Sequence, residues 1–238
     1  MLKPVIFLIL TLALALATPA HADTFLFNWT EAPGSLGTSH TYTFNGMSIT
    51  AMVYNDNGTQ TGNALYGKNS GGNENGIGTT LDNSGQHEIV YADYVQLDFS
   101  NVLKNYNITS ASLQINSDTN GESYAIYGTN TAGGVLTKPT PGTTGTVTST
   151  FASSTPLKTG NTESTFSILS YLQNYKILAV TETLQPSSLT CTSQPNILIG
   201  TLTIEATLKS TVPEPGTFGW IACSLAGLSI FSRKLRRR

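Results

Sequence analysis

Val95-Gln96-Leu97-Asp98-Phe99 and Ala111-Ser112-Leu113-Gln114-Ile115 carry the reading of the fold. In each, apolar residues fall at every second place, so an extended backbone sends them to one face and their polar neighbours to the other. Short runs of similar character recur at Phe25 to Trp29, His40 to Phe44, Met47 to Tyr54, Ile89 to Phe99, Ser123 to Tyr127, Tyr175 to Thr181 and Ile197 to Leu208. They are rich in aromatic and β-branched residues, which suit a pleated surface. Clusters of Gly, Asn, Ser and Pro separate them, and only Ile168 to Asn174 suggests a helix. This pattern predicts an all-β protein, an antiparallel β-sandwich of jelly-roll type, and argues against a parallel α/β architecture.

Only 11% of the 238 residues are charged. Six of the twelve basic residues lie at the ends of the chain. Between Asp23 and Val212, thirteen acids face six lysines and no arginine, a net charge of −7. A nucleic-acid partner is not expected, because its phosphates call for clustered Lys and Arg. Of the two cysteines, Cys223 falls in an apolar C-terminal segment. The remaining Cys191 is either a buried small hydrophobe, which its lack of a nearby CxxC favours, or a free thiol. A disulfide framework within the body is therefore not available.

The two ends read as addresses. Lys3, an apolar run from Val5 to Ala17 and then Ala20-His21-Ala22 before Asp23 form a signal peptide over residues 1–22. The small side chains of Ala20 and Ala22 fit the pockets of a signal peptidase, and the apolar run is short for a bilayer span. Residues 23–209 form the predicted ectodomain. In residues 210–238, Val212-Pro213-Glu214-Pro215 is followed by an uncharged stretch, 216–232, and then by Arg233-Lys234-Leu235-Arg236-Arg237-Arg238. As a helix that stretch would reach about 25 Å, enough to span or nearly span a thinned bilayer. The basic residues Arg233, Lys234, Arg236, Arg237 and Arg238 should stay cytoplasmic by the positive-inside rule. Pro213 and Pro215 disfavour helix, so the motif should be extended at the outer face of the inner membrane.

Taken together, these three C-terminal features resemble the PEP-CTERM sorting domain. The resemblance implies a Gram-negative producer, often one that makes extracellular polysaccharide. It also implies processing by an exosortase, a membrane-embedded cysteine transpeptidase or protease that releases or transfers the protein at the motif. The expected partners are signal peptidase and exosortase, with transient anchoring in the inner membrane. The expected destination is the cell surface or extracellular matrix. Loose similarity of Ala111 to Asn116 with Gly121 to Asn130, and of Gly76-Ile77-Gly78 with His87-Glu88-Ile89, to ectodomains of that family points the same way on fold.

Two segments depart from the strand pattern. Asn55 to Glu88 holds seven Asn and eight Gly and reads as a turn-rich excursion at one end of the sandwich. Its carboxylates and amide oxygens are the donors Ca²⁺ prefers, although no strict calcium-loop spacing is present, and Asp82, Asn83 and Glu88 are the candidate ligands. Thr137 to Thr165 holds eleven Thr and four Ser with Pro139, Pro141 and Pro156. It reads as an exposed loop with a possible edge strand at Thr146 to Ala152, and its hydroxyls could accept O-linked sugars.

After signal removal two histidines remain, His40 and His87, in neither zinc spacing nor a nucleophile turn. Asp93, Asp98, Glu88 and Glu122 could form a glycosidase pair only by converging in space. The expectation is therefore a non-enzymatic structural or adhesive protein of the polysaccharide layer. A lectin-like module is the alternative reading, with Tyr66, Tyr91 and Tyr94 as candidate sugar platforms.

Overall fold

The computed structural model describes residues 21–29, 33–81, 85–117, 122–138, 148–183 and 196–209. The signal peptide up to Ala20, the sorting tag 210–238, Cys191, Asp82 and Asn83 lie outside the described residues. In chain order the first strands are β1 (Asp23–Phe27), β2 (Gly34–Gly37), β3 (Ser39–Phe44), β4 (Met47–Asn55), β5 (Leu65–Asn69), β6 (Asn75–Thr79), β7 (Ile89–Val90) and β8 (Asp93–Asp98). They are followed by β9 (Tyr106–Asn116), β10 (Tyr124–Thr129), β11 (Leu136–Thr137), β12 (Thr148–Ser149), β13 (Lys158–Gly160), β14 (Ser164–Ser167), β15 (Ile177–Glu182) and β16 (Asn196–Leu208). Two short helices join them, α1 (Ser100–Asn105) and α2 (Leu169–Leu172).

Asn45 and Gly46 turn β3 into β4, and both take positive φ, 48° and 83°. A two-residue hairpin needs that conformation to match the twist of its strands, and Asn-Gly adopts it at little cost. Phe44 thereby pairs with Met47, and the ladder continues to Ser39 opposite Met52.

The strands form two large antiparallel sheets. One runs β14-β9-β16-β6-β5-β2, with β1 and β7 also on β16. The other runs β13-β10-β15-β8-β4-β3. Alternate side chains of both enter a single core, including Leu113, Ile115, Leu202 and Ile204 from the first sheet and Ile49, Val53, Val95, Leu97 and Val180 from the second. The predicted all-β class and antiparallel pairing are thus present, and the two alternating runs that led to them are β8 and β9.

The outer face of the second sheet is also partly covered. Tyr54, Tyr94, Ala125, Tyr127 and Ala179 point away from the main core and pack with Leu136 and Phe151, beside the two-stranded ribbon β11-β12. The Gln96 amide donates to the Gly133 carbonyl and accepts from the Gly133 N–H, both at 2.9 Å, and the Tyr94 hydroxyl donates to the Gly134 carbonyl at 2.6 Å. The described part of the threonine-rich segment is therefore less loop-like than expected. Besides β12 it supplies β13 to the edge of one sheet and β14 to the edge of the other.

The glycine- and asparagine-rich excursion also contains regular structure, the hairpin-like pair β5-β6. Its glycines mark close approach rather than turns alone. A Cβ on Gly78 would lie 1.9 Å from the His87 carbonyl oxygen, and one on Gly76 would lie 2.3 Å from that of Ile199. Only a strand without side chains there can pass beneath those backbones. The run Ile89 to Phe99 is divided into β7 and β8, because Tyr91 and Ala92 form a turn between them.

Leu113 is fully buried, whereas Leu26 is 49% exposed. Leu113→Ala is expected to cost about 2–5 kcal/mol by leaving a cavity, and Leu26→Ser to stay within about 0.5 kcal/mol. Urea unfolding of the full chain followed by tryptophan fluorescence checks this, and equal losses for the two variants would contradict a core shared between the sheets.

Candidate functional site

Tyr66 and Lys68 alternate with Leu65 and Gly67 on β5, so both leave the core on the same side. Opposite them in the ladder stand Gly78 and Gly76. The bare position at Gly78 lets the segment before β7 lie across β6, and its two side chains land on the two from β5. His87 stacks on Tyr66 with ring centroids 3.8 Å apart and planes within 18°. Glu88, wholly buried, pairs with Lys68.

Lys68 bridges two carboxylates, since its ammonium also donates to Glu74. The Ser117 hydroxyl, just beyond β9, lies 2.9 Å from Glu88 Oε1 and 3.1 Å from Glu74 Oε1, within donating reach of either. The Ser117 N–H donates to Glu163 at 3.2 Å, and the Asn73 amide donates to the same carboxylate. Four separate segments thus meet at one polar junction. His87 and Ser117 take positive φ, 60° and 57°, a conformation that a non-glycine residue keeps only where its surroundings hold it.

Above this junction opens a cleft of about 680 Å³, lined by Pro33, Tyr66, Lys68, Glu74, Gln86 and His87. A second, smaller depression of about 370 Å³ includes Asn28, Asn73, Asn75, Gln114, Asn116 and Thr201, all amides but one hydroxyl. The stretch from Ser70 to Asn75 divides between them, with Ser70 and Glu74 on the first and Gly72, Asn73 and Asn75 on the second.

Burial pushes the Glu88 carboxyl up to about 7, even though Lys68 and Ser117 favour its ionised form, and the charge of Glu74 adds to the rise. Glu74 is less buried; burial raises it too, but the bonds from Lys68 and its other neighbours outweigh that and hold it below the usual carboxylate range. Burial lowers Lys68, and the two carboxylates more than reverse this, leaving it above the ordinary lysine value. The arrangement is an ammonium held between two acids, one of which shares its charge reluctantly.

The candidate residues from the sequence are only partly gathered here. Tyr66 lines the cleft, and Glu88 lies buried behind the lining residue Lys68. Among the described residues no three His, Cys, Asp or Glu side chains gather as a cation site, and a bound ammonium already neutralises Glu88. Tyr94 sits elsewhere, fully buried between Tyr54 and Phe151, where both its ring and its hydroxyl are engaged. Tyr91 lies beside the Lys138 ammonium, which is 4.7 Å from its ring centre and bonded to its carbonyl. Asp98 caps the start of α1 by accepting from the Ser100 N–H at 2.7 Å.

Asp93 is a second buried acid, its oxygens accepting from the Val90 N–H at 2.9 Å, the Thr79 hydroxyl at 2.5 Å and the Asn63 amide at 3.2 Å. Burial pushes it up to about 7 against those bonds and the Lys138 charge. Lys68 and Lys138 were not legible as site residues. The one available signal was the scarcity of lysine, six in the whole body, three of them in the segments richest in Asn and Thr. No family model, curated protein or solved structure matches the chain.

Unfolded, Glu88 and Asp93 would titrate near their ordinary 4.5 and 3.8. Folded, both hold their protons up to about 7. Between those values the native chain binds more protons than the unfolded one, so stability falls as pH rises through the window. Glu74 works in the opposite sense and lower down, its contribution being lost as pH falls below its ordinary value. The thermal midpoint is therefore expected to be higher at about pH 5 than at about pH 7, with Glu88→Gln and Asp93→Asn each reducing the difference. Calorimetry at the two pH values measures this, and equal wild-type midpoints would contradict it.

Proposed function

We propose that this chain is an exported bacterial surface or matrix protein, processed by an exosortase at Val212-Pro213-Glu214-Pro215. Its β-sandwich, of jelly-roll type, serves a structural or adhesive role in the extracellular polysaccharide layer. The observation that carries this is the order of the C-terminal features: a proline-flanked acid, an uncharged stretch long enough as a helix to reach most of the way across a bilayer, and an arginine-rich end. The signal-peptide pattern at the other end supports the same topology. The cytoplasmic basic cluster holds the chain in the inner membrane only until the enzyme acts.

The described body is compatible with that destination. Its charged residues are few, and among the described residues several of them, Lys68, Glu88, Asp93, Glu182 and the Lys138 side chain, are buried. What remains outside is largely hydroxyl and amide, a surface that exchanges hydrogen bonds with hydrated polysaccharide without strong electrostatic preference.

A lectin-like reading has a specific observation in its favour. The Tyr66-His87 stack stands at a polar cleft beside Lys68 and Glu74, and an aromatic edge among hydrogen-bonding groups is a common way to hold a pyranose. Adhesion then runs through that cleft.

Intact mass of the native exported protein, from cells with and without the sorting protease, tests the main reading. The expected product begins at Asp23 and lacks the arginine tail only when the protease is present. A full tail in both strains would overturn the sorting step. For the cleft, retention of the exported protein on the producer's polysaccharide is expected to weaken up to about tenfold in Tyr66→Ala, the loss of one aromatic contact. Undiminished retention in that variant would remove the lectin-like reading and leave the structural one.

A further inference from the structure

Lys138 is an unusual lysine. It closes the ribbon strand β11 just before Pro139, yet its side chain is only 2% exposed. Two of its three ammonium hydrogens go to the Tyr91 carbonyl and the Thr181 hydroxyl, the latter at 2.7 Å. The remaining position of the nitrogen faces Asp56, whose Oδ1 is 3.1 Å away.

The backbone keeps this pair together. The Asp56 N–H donates to the Ala92 carbonyl at 3.0 Å, and the Leu136 N–H donates to the Asp56 carbonyl at 2.8 Å. Three distant segments are thereby clamped around one amine and one carboxyl. The amine and the carboxyl are thus kept in contact by the fold, and reactants fixed in this way behave as if very concentrated.

We propose that Lys138 and Asp56 condense to an intramolecular amide, a covalent staple between the ribbon and the turn after β4. In the reactive step one proton passes from Lys138 Nζ to the Asp56 carboxylate along the contact that joins them. The freed lone pair then points at Cγ. The Nζ–Cγ bond forms, the Cγ–OH bond breaks, and the hydroxyl leaves with a second nitrogen proton as water. Atoms and charge balance without oxidant, metal or leaving group from outside.

Burial shifts both groups toward their neutral forms. Burial pushes Lys138 below the ordinary lysine value, although Asp56, Asp93 and Glu182 all face it with negative charge. Burial likewise pushes the Asp56 carboxyl up, with the Lys138 charge opposing it. Condensation removes two partly desolvated charges, which a buried site otherwise has to accommodate. The Asp56 side chain is 26% exposed, which gives the released water a way out. The body holds one cysteine, Cys191, so a disulfide within it could not supply such a staple.

Tryptic mapping of the purified full chain tests this. Trypsin spares the Lys138-Pro139 bond in any case, so a missed cleavage there carries no information. The expected result is that the peptides bearing Asp56 and Lys138 are recovered as one branched species, lighter by one water than their sum. Lys138→Arg, which keeps the cation, and Asp56→Ala are expected to give the two peptides separately. Asp56→Asn, if it still links, should lose ammonia in place of water. Wild-type protein that shows a cooperative thermal transition, yet yields the two peptides unjoined and at full mass, would overturn the proposal and leave a plain ion pair. Because the wild-type digest decides the question, a variant that fails to fold does not rescue it.

Discussion

Strand β16 is the constraint on which the rest of the structure depends. Its thirteen residues pair with β9 along one edge. Along the other edge they pair in succession with β7 at Asn196 and Ile197, β6 at Ile199, and β1 from Leu202 to Ala206. One continuous backbone therefore sets the register of four others. The cleft follows directly, because β6 carries β5 with Tyr66 and Lys68, while β7 carries the segment with His87 and Glu88. If β16 were displaced by one residue, its alternating core face would turn outward and the two halves of the site would separate.

Buried charge is the second theme. A buried carboxylate or ammonium is costly unless it is paired and hydrogen-bonded. Here Glu88 meets Lys68 and Ser117, Asp93 is enclosed by Thr79, Asn63 and the Val90 amide, and Lys138 meets Asp56, Thr181 and Tyr91. Each of these groups ties together segments far apart in the chain. Replacing them with apolar residues of similar size could leave stability intact, but it would remove the directional contacts that distinguish this packing from near alternatives. The same pairs explain why the cleft resists any simple assignment as a cation site, since an ammonium already stands there.

The outer face of the second sheet shows how coverage changes the chemistry of a residue. Tyr94 and Tyr91 are near neighbours in sequence, and either could have been a sugar platform. Because the β11-β12 ribbon folds over that face, Tyr94 becomes core and Tyr91 becomes a partner of Lys138. Tyr66 alone of the three stands at a cleft. Its neighbour His87 reaches it only because Gly78 has no side chain to hold the backbone away.

Local pattern was enough to find most of the long strands. Period-two alternation in β8 and β9 and the aromatic, β-branched character of the other runs are properties of neighbouring residues, so they can be read one segment at a time. The patterns at the two ends that the proposed export rests on are of the same kind, since length, charge and proline placement act locally. Strands β5 and β6 escaped notice because their glycines answer to backbones elsewhere, Gly76 to Ile199 and Gly78 to His87. The pairing of Lys68 with Glu88 and of Lys138 with Asp56 likewise has no local signature. The amino-acid sequence by itself determined the β character and the low charge. Only the tertiary structure decided which acids meet which lysines, because those contacts exist only once the two sheets have brought distant segments together and water has been excluded between them.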